Sequence, residues 1–188
     1  MGPQTACGVE PSGPAPCGLG PDAVLGPFSS PGVRATPWAS TLAVIGGAEV
    51  FWLSPVRPDG RPHVTPLLAA WSLGGMCFTT GGQERKARDL EHDPRCVLTI
   101  GTNTLPGVDV VIEGVVSVVD DRSRRERAVA DFERKYGTHL TGPVGPWYRL
   151  GEAVIVGDVR LYRVAPMVGF AFGGLPASSQ TRYTWPSR

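Results

Sequence analysis

The segment from Val108 to Val119 (VDVVIEGVVSVV) restricts the possible folds more than any other part of this sequence. Its side chains alternate with the period of a β-strand that has one buried face. Gly114 falls on the apolar face, which predicts either a β-bulge or the close approach of another backbone. Asp109 and Glu113 fall on the polar face, where we expect them to meet solvent or make a strand-end hydrogen bond. The sequence therefore predicts a sheet that contains at least one long strand.

Shorter extended segments lie on both sides of this strand in the sequence. They are rich in β-branched and aromatic residues and cover residues 49–56, 63–71, 76–80, 95–101, 153–165 and 167–172. The Pro and Asp-Gly turn residues at 57–62 and the glycines at 74–75 join the first three segments into an antiparallel meander. Pro66 withholds a hydrogen-bond donor inside the second segment, so it marks a sheet edge, a bulge or a place where a ligand lies against the backbone.

Three amphipathic segments are predicted to be helical. In the first, Thr36 is the expected N-cap and Pro37 the first helical residue. The second ends before Pro94, and the third runs over residues 122–136. Residues 138–151 are predicted to form an irregular loop that is able to cover a site.

Six or seven strands in meander-like order with only three helices predict a mainly β fold. The predicted architecture is a closed or partly closed antiparallel β-barrel with flanking helices. A doubly wound, dinucleotide-binding parallel sheet is disfavoured, because no G-x-G-x-x-G turn follows a strand.

The first 33 residues are dense in glycine and proline and have no hydrophobic period, so we expect a disordered tail before one domain at residues 34–188. The formal net charge of +1 gives no reason to expect nucleic acid or an anionic membrane as a partner. The N-terminus lacks a targeting pattern, and no apolar run approaches the roughly 18 residues of a membrane span. We therefore expect a cytoplasmic protein with free cysteine thiols and no metal site.

Residues 79–90 (TTGGQERKARDL) run from an apolar strand through two glycines into a basic helix. Hydroxyls, free N–H groups at the helix start and basic side chains are the groups that bind phosphate in proteins. The side chains that carry them here are Thr79, Thr80, Arg85, Lys86 and Arg88. The other interpretation is an ordinary strand-to-helix turn with solvated basic side chains, and this short pattern alone does not separate the two.

Five segments taken together resemble the pyridoxamine 5′-phosphate oxidase-like family of flavin and deazaflavin oxidoreductases. They are PDGRPHVTP at 58–66, FTTGGQERKARDL at 78–90, DVVIEG at 109–114, KYG at 135–137 and SQTRYTW at 179–185. The resemblance covers residues 36–185 and rests on the order and spacing of these segments. It implies a split β-barrel of the FMN-binding type. It also implies a homodimer that holds its cofactor, FMN or the deazaflavin coenzyme F-420, at the subunit interface.

The resemblance further implies which residues contact the cofactor. The phosphate contacts of the family carry over to Thr79, Thr80, Arg85 and Lys86. The contacts to the cofactor ring carry over to His63, Val64, Thr65 and Pro66. The ending that reaches the partner's cofactor carries over to Gln180, Arg182 and Trp185. His63 is also the candidate for relaying a proton near neutral pH, and the alternative role for it is that of a structural histidine.

Hydride transfer suits such a site, because the cofactor carries the redox chemistry while the protein supplies a phosphate anchor, a flat apolar slot and a water-poor space. The resemblance thus implies an oxidoreductase that transfers a hydride between coenzyme F-420 and a small conjugated organic substrate. The alternatives are an FMN-dependent enzyme on the same scaffold and a non-catalytic protein that binds a flavin or haem. Oxidation of pyridoxamine phosphate itself is disfavoured, because QTRYTW at 180–185 departs from the Arg-Leu-Xaa-Pro type of ending of the vitamin oxidases.

Overall fold

A computed structural model describes residues 20–140 and 149–186 of the chain, with side chains left undescribed at 138–140. The strands are β1 (Asp22–Leu25), β2 (Phe51–Pro55), β3 (Thr65–Leu67), β4 (Ala69–Ser72), β5 (Gly75–Thr80), β6 (Arg95–Ile100), β7 (Val108–Val118), β8 (Arg160–Gly173) and β9 (Ser179–Thr184). The helices are α1 (Trp38–Gly47), α2 (Arg85–His92), α3 (Arg122–Leu140) and α4 (Leu150–Val156). The fold is mainly β, as predicted. No helix within these described ranges is long and apolar enough to cross a membrane.

The strands form an antiparallel barrel. Along the sheet the order is β3-β2-β6-β7-β8, and β8 also pairs with β5, which pairs with β4. Only Leu68 separates β3 from β4, so this bent segment pairs with β2 through one half and with β5 through the other, which closes the barrel. The predicted antiparallel barrel with flanking helices is confirmed. Pro66 lies on a sheet edge, because β2 is the only described strand that pairs with β3.

The barrel is split along β8. Residues 160–164 of β8 pair with β5, whereas residues 168–173 pair with β9, and β7 accompanies both halves. The register of β7 against β8 shifts between Glu113 and Gly114. A Cβ atom on Gly114 would lie 2.2 Å from the carbonyl oxygen of Ala165. The predicted irregularity and close backbone approach at Gly114 are thus confirmed.

The segment expected to be a disordered tail contains a strand. Residues 22–25 form β1, which pairs with β9 from Asp22 opposite Thr184 to Leu25 opposite Thr181. The N–H of Gly26 then donates to the carbonyl oxygen of Gln180 over 2.6 Å. Local composition does not reveal this pairing, because the free edge of β9 supplies the hydrogen bonds. Residues 1–19 lie outside the described part of the chain.

Two other local predictions were wrong, and a third was wrong in part. Residues 153–165 were expected to be one strand and 167–172 another, but α4 ends at Val156 with Gly157 as its C-cap, and β8 is a single strand over Arg160–Gly173. A short apolar run such as AVIV fits a helix as well as a strand, which explains the error. Thr36 does not cap α1: its N–H donates to Thr181 Oγ1 and Pro37 is the N-cap. The predicted loop at 138–151 is partly α3 and α4, and the rest of it lies outside the described residues.

Two apolar clusters stabilise the barrel. The first fills its interior and includes Phe51, Leu53, Phe78, Leu98 and Ile112. The second joins the outer side of β4 and β5 to α3 and α4 and includes Ala70, Cys77, Phe132, Val154 and Leu161. Cys77 and Cys96 are free, and burial raises the pKa of each thiol to about 12, so both stay protonated near neutral pH.

Candidate functional site

The strand-turn-helix segment that the sequence singled out lies at one end of the barrel. Ala87 and Leu90 on α2 pack into the barrel interior. The turn before α2 is closed by the N–H of Glu84, which donates to the carbonyl oxygen of Gly81 over 3.0 Å. Burial of this face of α2 leaves Arg85 and Arg88 exposed on the other side of the helix.

Thr79 and Thr80 point to opposite faces of β5, because successive side chains alternate across a strand. Thr80 is 4% exposed, and its hydroxyl finds no hydrogen-bond partner among the described residues. Thr79 instead faces α3 and α4, where it lines a cavity of about 220 Å³ together with Phe132 and Leu150. The expectation that both hydroxyls converge on one anion was therefore wrong.

Lys86 and Glu84 form an ion pair over the turn. The Lys86 side chain is 14% exposed, and its Nζ donates to Glu84 Oε2. The other carboxylate oxygen of Glu84 accepts the N–H of Gly81 over 2.9 Å. The Lys86 ammonium, followed by the Gly81 N–H and Thr80, lowers the pKa of Glu84. The Thr80 hydroxyl is thus near the carboxylate, although its geometry is not that of a hydrogen bond.

Arg160 on β8 joins this group from across the sheet. It lies directly opposite Thr80 in the register of β5 and β8, and its Cζ would be 3.2 Å from a Cβ atom on Gly82. Nη1 of Arg160 donates to Glu91 Oε1 over 2.7 Å. The nearby Tyr162 hydroxyl, and then the Glu91 carboxylate, raise the pKa of the Arg160 guanidinium. The Tyr162 hydroxyl is buried and makes no hydrogen bond of acceptable geometry.

We refer to Thr80, Gly81, Gly82, Lys86 and Arg160 as the candidate phosphate site. It combines a buried hydroxyl without a partner, a glycine turn and two cations, which together suit a phosphate group. Sequence reasoning missed Arg160, because the long-range register of β5 against β8 brings it to the turn. Within the segment itself, the Glu84-x-Lys86 spacing was a usable signal for the ion pair.

His63 and Arg85 share the carboxylate of Asp89. His63 Nδ1 lies 2.9 Å from Asp89 Oδ2, and Arg85 Nε lies 3.6 Å from Asp89 Oδ1. The Asp89 side chain is almost fully buried, and the N–H of His63 donates to the carbonyl oxygen of Pro55 over 3.0 Å. This network ties the β2–β3 connection to α2. It matches the structural reading of His63, and it holds Arg85 on the surface beside the candidate phosphate site.

The residues nominated for the cofactor ring do not share one face. Thr65 lies opposite Leu53 and faces the barrel interior, whereas Pro66 lies opposite Trp52 on the outer face. Val64 is exposed just before β3. No described strand pairs with the other edge of β3, so its main-chain groups there are available to a ligand.

The three C-terminal residues that were expected to contact the partner's cofactor also lie in different environments. Gln180 is held by the N-terminal segment, since its N–H donates to Ser29 Oγ over 3.0 Å. Arg182 is exposed on the outer face, where Nη1 donates to Thr184 Oγ1 over 3.1 Å. The Trp185 ring instead packs inside its own chain, 5.0 Å from the Trp38 ring.

A row of side chains crosses the outer face of the sheet. The registers place in line Pro66, Trp52, Thr99, Val111, Phe170, Arg182 and Val24. We call this the outer row. Trp52 is 46% exposed, and a groove of about 800 Å³ beside it is lined by residues that include Thr99, Val111 and Asp109. The outer row thus presents apolar surface that no described part of the chain covers.

The described residues contain no group of three or more His, Cys, Asp or Glu side chains that could hold a metal ion. Of the histidines with described side chains, His63 is bound to Asp89 and His92 is exposed at the end of α2.

The chain is similar to known proteins both in sequence pattern and in fold. The family model described as pyridoxamine 5′-phosphate oxidase matches residues 39–168. No curated protein sequence matched the chain. Among solved structures, a conserved hypothetical protein from Mycobacterium tuberculosis is 21% identical with a TM-score of 0.59, over 73% of this chain and 85% of that one.

Two further solved structures share the fold. An F420 reductase is 21% identical with a TM-score of 0.51, over 68% of this chain and 93% of its own. A haem-binding protein from Mycobacterium smegmatis is 15% identical with a TM-score of 0.56, over 78% of this chain and 59% of its own. At these identities the likeness concerns the fold.

Proposed function

The chain belongs to the pyridoxamine 5′-phosphate oxidase family, and from this premise we propose that it is an oxidoreductase that holds a phosphate-bearing flavin-type cofactor. The proposed cofactor is the deazaflavin coenzyme F-420, and the proposed reaction is hydride transfer between it and a small conjugated organic substrate. The observation that carries the proposal is the buried, unpartnered hydroxyl of Thr80, which lies opposite Arg160 in the register of β5 and β8 and directly before the turn that leads to Lys86.

The candidate phosphate site fits the phosphate of such a cofactor. Burying a hydroxyl without a hydrogen bond is unfavourable, so the Thr80 hydroxyl would gain free energy by donating a hydrogen bond to an anion. Burial restricts the Lys86 side chain. Arg160 lies so close to Gly82 that a side chain at position 82 would occupy the space in front of the guanidinium. Charge-assisted hydrogen bonds from both cations would then neutralise the phosphate.

The remaining residues would position the ring and the substrate. The free edge of β3 offers main-chain groups to the polar edge of a flat ring, next to the exposed side chain of Val64. The groove beside Trp52 has room for a small organic molecule. When bound, the cofactor supplies the hydride chemistry, so the chain needs to bind, orient and exclude water rather than provide a nucleophile.

The proposed assembly is a homodimer with the cofactor at the subunit interface. Pro66 and Arg182 lie five strand spacings apart along the outer row, roughly 24 Å along the sheet at about 4.8 Å per strand. The two expected contacts are therefore far apart along the sheet of a single chain, which favours their coming from two copies. A second copy packed on the outer row would bring its Gln180 and Arg182 to the first copy's site and would cover Trp52 and Phe170.

Replacement of Trp52 by aspartate is expected to convert the dimer to a monomer. A charge in the apolar centre of an interface loses about 2 kcal/mol or more, which raises the dimer dissociation constant roughly 30-fold. Sedimentation equilibrium measures this constant. Val156 is an apolar residue on α4 that is 60% exposed and lies outside the outer row, so Val156→Asp is the control and should stay dimeric. A monomeric wild-type protein would contradict the proposed assembly.

The cofactor is tested by the absorption spectrum and mass of any ligand that copurifies, followed by titration with FMN and with F-420. We expect F-420 to bind more tightly than FMN and the reduced deazaflavin to be reoxidised by an added enone. Tight retention of FMN would instead assign the FMN-dependent alternative. A copurifying haem with no turnover would assign the non-catalytic alternative.

A further inference from the structure

We propose that Glu84 is an internal competitor for the candidate phosphate site, whose carboxylate must leave Lys86 and the Gly81 N–H before a phosphate group can bind there. This inference rests on the proposed function and concerns the affinity and selectivity of the same site. It assigns to Glu84 a role in setting cofactor specificity.

The contacts of the carboxylate are those that a phosphate would make. Oε1 accepts the backbone N–H of Gly81 over 2.9 Å, and Oε2 accepts from the Lys86 ammonium. Among the described residues, Glu84 is the one acidic partner of Lys86. A carboxylate and a phosphate oxygen compete for the same donors, because both are recognised by ammonium and backbone N–H groups.

The two side chains differ in their freedom to move. The Glu84 side chain is 50% exposed, whereas that of Lys86 is 14% exposed. Glu84 can therefore rotate into solvent while Lys86 remains in place. An approaching phosphate would take the contacts that Glu84 releases and would add the Thr80 hydroxyl, which Glu84 leaves without a hydrogen bond.

This arrangement selects for a strong anion. A neutral ring without a phosphate gains no binding free energy by displacing Glu84. A ligand carboxylate that displaces Glu84 only replaces the Glu84 contacts with equivalent ones. A phosphate group offers more oxygens than the carboxylate, so it reaches Lys86, Thr80 and Arg160 together. Glu84 thus lowers the affinity for anionic ligands that must displace it from Lys86 and the Gly81 N–H, and it does not affect a ligand that leaves these donors untouched.

The test is the affinity of FMN and of riboflavin for the wild-type chain and for Glu84→Gln. Glutamine keeps an oxygen for the Gly81 N–H but removes the negative charge that holds Lys86. We expect FMN to bind about tenfold more tightly to the variant, the order of one charge-assisted contact, while riboflavin binding is unchanged. Inorganic phosphate should also compete with FMN at a lower concentration in the variant.

Glu126→Gln on α3 is the matched control, because it removes an equally exposed carboxylate from a different ion pair and should leave both affinities unchanged. If Glu84→Gln does not fold, Glu84→Ala provides the same comparison. Unchanged or weaker FMN binding would overturn the inference, and so would an equal gain for FMN and riboflavin. Failure of both FMN and F-420 to bind either protein would instead overturn the proposed function, and this inference with it.

Discussion

Replacement of Lys86 by alanine is expected to weaken cofactor binding by about 1.5–3 kcal/mol, roughly a 10- to 150-fold increase in Kd. The variant loses a charge-assisted hydrogen bond to the phosphate. It also leaves the Glu84 carboxylate beside the turn without the ammonium that neutralises it, so the approaching phosphate is repelled. Quenching of flavin or deazaflavin fluorescence during titration measures the change.

A charge-matched control separates the site from the overall electrostatic field. Arg134 is an exposed cation on α3 that pairs with Asp131, and Arg134→Ala should leave the Kd for the cofactor unchanged. The double variant Glu84→Gln, Lys86→Ala should lose less affinity than Lys86→Ala alone, since the repelling charge is gone as well. An unchanged Kd in Lys86→Ala would place the phosphate elsewhere on the molecule.

The second large effect concerns stability. Gly114→Ala is expected to lower the free energy of unfolding by about 2–4 kcal/mol. The added Cβ would lie 2.2 Å from the carbonyl oxygen of Ala165 and 2.8 Å from Val164 Cγ1. The first of these atoms is backbone, so β7 and β8 would have to separate where the barrel splits. Urea denaturation measures the loss.

Gly46→Ala is the matched control for this substitution. Gly46 lies in α1, and a Cβ atom added there would have no neighbouring atom within 4 Å. Alanine is a better helix former than glycine, so this variant should gain about 0.5–1 kcal/mol. A Gly114→Ala protein as stable as the wild type would show that β7 and β8 have room at the register shift.

Much of the barrel follows from local patterns. Alternation in residues 108–119 identified β7 and its two faces, and the glycine on its apolar face marked the register shift. Pro66 indicated a sheet edge, a bulge or a ligand contact, because a residue without an N–H group is disfavoured inside a sheet, and the strand order shows that it lies on an edge. The glycines and basic residues after β5 located the turn and the start of α2.

The sequence by itself therefore determined most of the strands, the two faces of β7 and the turn that carries the candidate phosphate site. These properties depend on the period of side chains along a few residues, which can be read without knowing the partner strands. Only the tertiary structure decided that Arg160 joins this turn, that Asp89 engages His63 and that Trp185 points into its own barrel. Each of these contacts depends on the register between segments far apart in the chain, and a shift of one residue would reverse the face on which a side chain lies.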